Sequence, residues 1–278
     1  MNLFSLAKAF PTESDALDYW ISIRWPDGVQ CVGCGHLKIY RISTPNKSGR
    51  LVTLFECAEC GLHFSPTVGT LFHDSHLPLQ KWFAAIALMV EAKKGISANQ
   101  LKRHLGVTYK TAWYLCHRIR KAMSEPDTEP LGGEGKIVEI DETMIGGHHS
   151  GPDKWEKRSQ KVKVLGIAER GGRVYLRRVK SLQRSDIAPV IEAKIHPDTD
   201  KIVTDGAPRY KGIIPKDKHI AGNHLAEIKS LSPISNSTIE GVFSLLKRGI
   251  IGQYHQIGTE HVDAYLSEFS WRFNRRAN

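Results

Sequence analysis

Two C-x-x-C pairs restrict this chain more than any other feature. Cys31-Val-Gly-Cys34 and Cys57-Ala-Glu-Cys60 are each followed by a glycine, Gly35 and Gly61. Both thiolates of a knuckle must face one ion, and glycine permits the tight turn this needs. Between the pairs lie Tyr40-Arg-Ile-Ser43, a Pro-Asn-Lys-Ser-Gly turn, and Leu51-Val-Thr-Leu-Phe55, which read as a β-hairpin. Four thiolates complete a tetrahedral site, so residues 27–70 are expected to form a zinc ribbon holding Zn2+ through Cys31, Cys34, Cys57 and Cys60. No βαβ pattern surrounds either pair, which argues against a redox dithiol. His36 and His63 then read as surface residues, and Cys116 as a core thiol.

The 278 residues suit two or three domains. A net charge of +10 points to a polyanionic partner, and nucleic acid is the usual one. The start of the chain has no long apolar segment with a small-residue cleavage site. The longest apolar run, Trp82 to Val90, is too short to span a bilayer. A cytoplasmic protein with no membrane role is expected.

Residues 1–26 read as a lead-in helix, capped by Ser14, running from Asp15 to Ile23 and ended by Pro26. Residues 77–124 read as helices. Pro78 suits a helix start and Ser97 a cap. A turn at Gly106-Val-Thr-Tyr109 then leads into a helix from Thr111 to Met123. Ala112, Leu115, Ile119 and Met123 fall on its inner face, with Lys110, Arg118, Arg120 and Lys121 outward. Helix, glycine turn and basic helix form a helix-turn-helix pattern, with Lys110 and Arg118 as DNA contacts. Residues 125–135 have a linker composition.

From 136 the pattern turns to strands: Lys136 to Glu142, Val162 to Ala168, and Arg173 to Val179. A helix follows from Asp186 to Ile195, then a strand from Lys201 ending at Asp205-Gly206. Three strands joined by hairpins, a helix and a further strand make a mixed α/β sheet in the ribonuclease-H style over 136–278. The loop Gly146 to Arg158, with Lys154 and Arg158, suits phosphate contact. The neighbouring His148 and His149 point apart and do not make a metal pair.

In such a sheet the first and fourth strands are neighbours, so Asp141 and Asp205 approach each other. A helix over Asn236 to Lys247 puts Ile239, Val242, Phe243 and Leu246 on one stripe. Asn236, Glu240, Ser244 and Lys247 share another stripe at its edge. Glu240 thus offers a third carboxylate. Three such charges repel unless divalent cations join them, and hard oxygen ligands favour Mg2+ or Mn2+. A carboxylate brings charge as well as an oxygen, so Glu240 is expected as the third ligand, with Asn236, one turn earlier, beside it or in its place.

With Val138-Glu-Ile-Asp-Glu-Thr143, Thr204-Asp-Gly206 and Asn236-Ser-Thr-Ile-Glu-Gly-Val-Phe-Ser-Leu-Leu-Lys-Arg-Gly249 beside the two cysteine pairs, the chain resembles the DDE-type transposases of bacterial insertion sequences, in the group with an N-terminal zinc ribbon. The resemblance implies two metal ions, double-stranded DNA partners (terminal inverted repeats and target), and strand cleavage and transfer by a homo-oligomer on DNA. It implies Asp141, Asp205 and Glu240 as metal ligands and Lys247 near the cleaved phosphate. Arg248 beside it joins the expected DNA contacts. The alternative is a DNA-binding regulator with a degenerate nuclease fold.

Overall fold

The structure, a computed structural model, describes residues 3–45, 51–124, 129–146, 161–221 and 236–276. The chain forms two compact units, Met1–Glu91 with Ala98–Ile119, and Ala92–Ser97 with Arg120–Asn278.

The first unit begins with helices α1 (Leu3–Ala9) and α2 (Glu13–Arg24). Thr12, not Ser14, caps α2. Its hydroxyl accepts the Asp15 N–H at 3.2 Å, while the Asp15 carboxylate accepts the Thr12 N–H at 2.9 Å. This reciprocal box satisfies two otherwise unpaired donors, which Ser14, inside the first turn, cannot do. The ribbon follows: β1 (Ile39–Pro45) pairs antiparallel with β2 (Leu51–Cys57), and β3 (His63–Phe64) adds to the other edge of β2. Trp25, Phe55 and Phe64 form its small core, with the Trp25 and Phe55 rings edge to face at 5.7 Å.

Helices α3 (Leu79–Glu91), α4 (Ala98–Leu105) and α5 (Tyr109–Met123) come next. The start of α3 is capped from a distance. The Glu13 carboxylate accepts the N–H groups of Leu79 at 2.9 Å and Gln80 at 3.4 Å. Helix α5 starts two residues before Thr111, because Thr108 caps it by accepting the Thr111 N–H at 3.2 Å. Ala112, Leu115, Ile119 and Met123 are buried as the periodicity requires. Arg118 is not free at the surface: its guanidinium donates to the carbonyls of His73 (2.8 Å) and Thr70 (3.2 Å) and to the Tyr114 hydroxyl.

The second unit is built on one mixed sheet. β4 (Ile137–Ile145), β5 (Val162–Glu169) and β6 (Val174–Val179) run antiparallel. Helix α6 (Arg184–Lys194) leads to β7 (Lys201–Thr204), which lies parallel to β4. β8 (His219–Ala221), a strand too short to show in the sequence, lies parallel to β7. The order is β6-β5-β4-β7-β8, the ribonuclease-H-like arrangement expected. β4 runs on to Ile145, beyond the acids that were read as its end, because pairing with β5 continues to Ile145 opposite Val162.

The sheet buries both faces. Val138, Ile140, Leu165 and Ile167 pack with Ile187 and Ile191 of α6, and Leu131, within the stretch read as linker, joins that core. On the other face Val164, Ala168, Val174 and Leu176 pack under two helices, α7 (Ser237–Gly249) and α8 (Val262–Asn274). Phe269 and Phe273 of α8 are part of this packing. Arg120, read as an outward residue, is 2 % exposed and donates to the Glu268 carboxylate of α8 at 2.7 Å. The correction follows from long-range pairing: its guanidinium also lies 4.0 Å from the Tyr265 ring centre, so its charge is met on two sides. Gly95 sits at φ +86°, and a Cβ there would fall 1.9 Å from the Tyr254 hydroxyl, so no larger residue fits.

Candidate active site

Strand alternation puts Glu139, Asp141 and Thr143 of β4 on the face covered by α7. β7 is parallel to β4 with Glu139 opposite Val203. Two residues further along, that register brings Asp141 level with Asp205, which lies just past the end of β7. Carboxylate oxygens of Asp141, Glu142 and Asp205 lie within 4.8 Å of one another. Asp141 accepts the Glu142 N–H at 2.8 Å. Asp205 accepts the Ala207 N–H at 2.9 Å, fixing the turn at Gly206 (φ +78°).

From the sequence Glu142 reads only as a strand-end acid beside Asp141, and strand alternation turns it to the opposite face. It enters the cluster from the α6 side. The buried Tyr210 hydroxyl donates to it at 2.6 Å, and Arg209 stands 3.3 Å away. Among the described residues, no basic side chain pairs with Asp141 or Asp205. Burial raises the Asp141 carboxyl to about 6, and the charges of Glu142, Asp205 and Glu240 add to the rise, against the Glu142 N–H. Glu142 is raised by burial too, with Tyr210 and Arg209 opposing. A group of close, half-buried acids with so little cationic compensation suits a hard divalent ion.

Helix α7 forms the other wall of a cleft over Asp141 and Glu142, through Glu240, Ser244, Lys247 and Arg248. Glu240 faces the acids across this cleft but is outside the group within 4.8 Å. Asn236 is buried at the helix N-cap and makes no side-chain capping bond. Its Oδ1 has no hydrogen-bond partner among the described residues. Lys110 is exposed near the start of α5 in the first unit. Lys154 and Arg158 lie outside the described residues.

In the ribbon, Cys31 and Cys60 sulfurs are 3.6 Å apart, Cys34 and Cys57 3.6 Å, and Cys34 and Cys60 3.5 Å. A tetrahedron of thiolates around zinc has edges of about 3.8 Å, so the four cysteines already stand close to that arrangement. The Cys34 N–H and Gly33 N–H point at Cys31 Sγ and lower its thiol, while the neighbouring sulfurs raise Cys34 and Cys60, a mutual repulsion of thiolates that a bound cation would relieve.

A family model described as the ISXO2-like transposase domain matches residues 130–274, and one described as the transposase zinc-ribbon domain matches residues 11–63. A Halobacterium salinarum protein described as an uncharacterized protein in transposable element ISH50 is 29% identical over 168 residues. That match covers 60% of this chain and 52% of the relative, so the chain spans about half of that protein.

The raised Asp141 carboxyl has a definite linkage sign. Between its ordinary value and about 6 the folded state holds the proton more tightly than the unfolded chain, so metal-free stability falls as pH rises through this window. Replacing Asp141 with Asn removes that dependence. In chelator, the advantage of Asp141→Asn over wild type should grow from pH 4 to pH 6.5, and Mn2+ should raise the wild-type melting temperature more at pH 7 than at pH 5. A pH-independent difference between the two proteins in thermal melts would contradict it.

Proposed function

The chain belongs to the family of ISXO2-like transposase domains, and from that premise we propose that it is a DNA transposase. It binds the terminal inverted repeats of a mobile element, cuts at their 3′ ends and joins those ends to target DNA. The observation that carries the reading is the convergence of Asp141 and Asp205 from adjacent parallel strands, with Glu142 alongside.

Asp141 and Asp205 would hold Mg2+ or Mn2+, with Glu240 reaching in from α7. A pair of such ions, when bound, activates the attacking oxygen and stabilises the leaving oxygen of a phosphodiester. The protein's own part is placement. Lys247 and Arg248, on the wall facing the acids, offset the charge of a DNA phosphate and hold it over the carboxylates. Asn236 orients a phosphate or a neighbouring ligand from the base of the helix. Tyr210 and Arg209 keep the Glu142 carboxylate aimed at the cluster.

The four-cysteine cluster holds structural Zn2+. The exposed Lys110 meets DNA phosphates at the helix-turn-helix. Arg118 is committed to the Thr70 and His73 carbonyls, which leaves it little capacity for the DNA role first assigned to it. Lys154 and Arg158, outside the described residues, belong to the proposed DNA contacts. Two element ends must be brought together, so a homo-oligomer on DNA is part of the proposal.

The function is tested by incubating the protein with duplexes carrying the element's ends and Mg2+ or Mn2+. Metal-dependent nicks at the 3′ ends are expected, and intact ends would overturn the reading. Glu240→Gln nearly keeps the side chain's shape but removes its charge. It should bind ends normally and cut them orders of magnitude more slowly, with Asn236→Ala less affected. The reverse ranking in the cleavage assay would move the third ligand to Asn236.

Metal analysis should find one zinc per chain. Cys34→Ser should lose it and unfold the ribbon while the sheet of the second unit persists, as read by circular dichroism and limited proteolysis. Zinc-free protein with an intact ribbon would refute the assignment. Lys110→Ala should weaken end binding and lower the slope of log affinity against log salt by about one. An unchanged slope in a binding titration would exclude that contact.

A further inference from the structure

Glu139 is one of the few fully buried charged groups in the described chain, and it lies two residues from Asp141. A carboxylate in a strand interior is costly unless both oxygens are bound. Here they are divided between two elements. Oε1 accepts the Arg170 Nε–H at 2.7 Å, and Oε2 accepts the backbone N–H of Ile239 at 3.0 Å.

That second bond is unusual for where it ends. Ile239 is the third residue of α7, and its N–H is among the first four that a helix cannot satisfy internally. A side chain at the N-cap position is the ordinary supplier. Asn236 occupies that position and makes no such bond. Glu139, a hundred residues earlier, takes the place, with the negative charge that a helix N-terminus favours. Nearby, Asp141 is paired across the sheet with Gly166, and a Cβ on Gly166 would lie 2.6 Å from the Phe243 ring and 2.7 Å from Ile239. The helix therefore rests directly on the strand backbone at Gly166 and is tied down at Glu139.

We propose that Glu139 is a positioning residue. Its carboxylate, acting as a cap supplied by another element, fixes α7 and with it Glu240 and Lys247 at the distance from Asp141 that the reaction requires. The bond also takes over the capping role that Asn236, at the N-cap, does not fill. The inference rests on the transposase reading for its consequence in catalysis, but the Glu139–Ile239 bond is testable without it.

The test uses the full chain. Backbone hydrogen exchange is followed at the start of α7 and in β5, and end cleavage is titrated with Mn2+. Glu139→Ala should speed exchange at Ile239 while β5 stays protected, and should raise the Mn2+ concentration for half-maximal cleavage by about tenfold or more. Glu139→Gln keeps one acceptor oxygen but turns its NH2 toward the other donor, Arg170 or Ile239, so it should fall between wild type and Glu139→Ala in both measurements. If Glu139→Ala fails to fold, Glu139→Met fills the volume without accepting a hydrogen bond and takes its place. Unchanged exchange at Ile239 in the Ala or Met variant, or a Gln variant as impaired as either, would overturn the proposal. If the wild type cuts no DNA, the transposase reading falls and the exchange measurement alone decides the role of Glu139.

Discussion

Carboxylates of Asp141, Glu142 and Asp205 held within 4.8 Å of one another repel when ionised. Against that repulsion Arg209 and the Tyr210 hydroxyl act on Glu142, while Asp141 and Asp205 have the backbone N–H groups of Glu142 and Ala207. An arrangement so strained electrostatically persists only because packing on both sheet faces over-determines it. The parallel pairing of β4 and β7 sets Asp141 level with Asp205. Apolar clusters under α6 and under α7 and α8 hold the sheet between them. The same repulsion that burdens the metal-free protein is what a divalent ion would relieve, so stability and metal affinity are two sides of one interaction.

Distant glutamates serve twice as helix caps. Glu13 satisfies the first N–H groups of α3, and Glu139 that of Ile239 in α7. In each case a helix end is located by an element remote in sequence, which fixes its position as well as its stability. A side chain at the N-cap itself would satisfy the donor without tying the helix to its neighbour. Within α8 the buried Glu268 links elements through side chains and not through a helix end. It gathers Arg120, Arg272 and the Tyr254 hydroxyl around one carboxylate, within the second unit.

Much of this was legible in the sequence where the signal is local. The cysteine pairs mark the ribbon, and the short apolar runs from residue 136 onward mark the strands of the sheet. The order of strands and helix made Asp141 and Asp205 neighbours. The apolar stripe of Ile239, Val242, Phe243 and Leu246 is buried as periodicity demands. What stayed hidden depends on partners far along the chain. Glu139 looks like the polar member of an alternating strand until the helix N-terminus above it is seen. Arg120 looks like one more exposed charge until Glu268, 148 residues away, closes on it. Arg118 is bound by two loop carbonyls with no sequence signature. Glu142 joins the cluster although simple alternation turns it away, and Tyr210 draws it there.

Asp141, within β4, and Asp205, just past the end of β7, together build a divalent-cation site. A crystal structure of the full chain soaked in Mn2+, with anomalous scattering measured at the manganese edge, tests it most directly. The account predicts an anomalous peak at oxygen-ligand distance, about 2.2 Å, from both Asp141 and Asp205, and no such peak in Asp205→Asn. A wild-type crystal with no manganese between those two carboxylates, or with manganese bound only elsewhere, would contradict it.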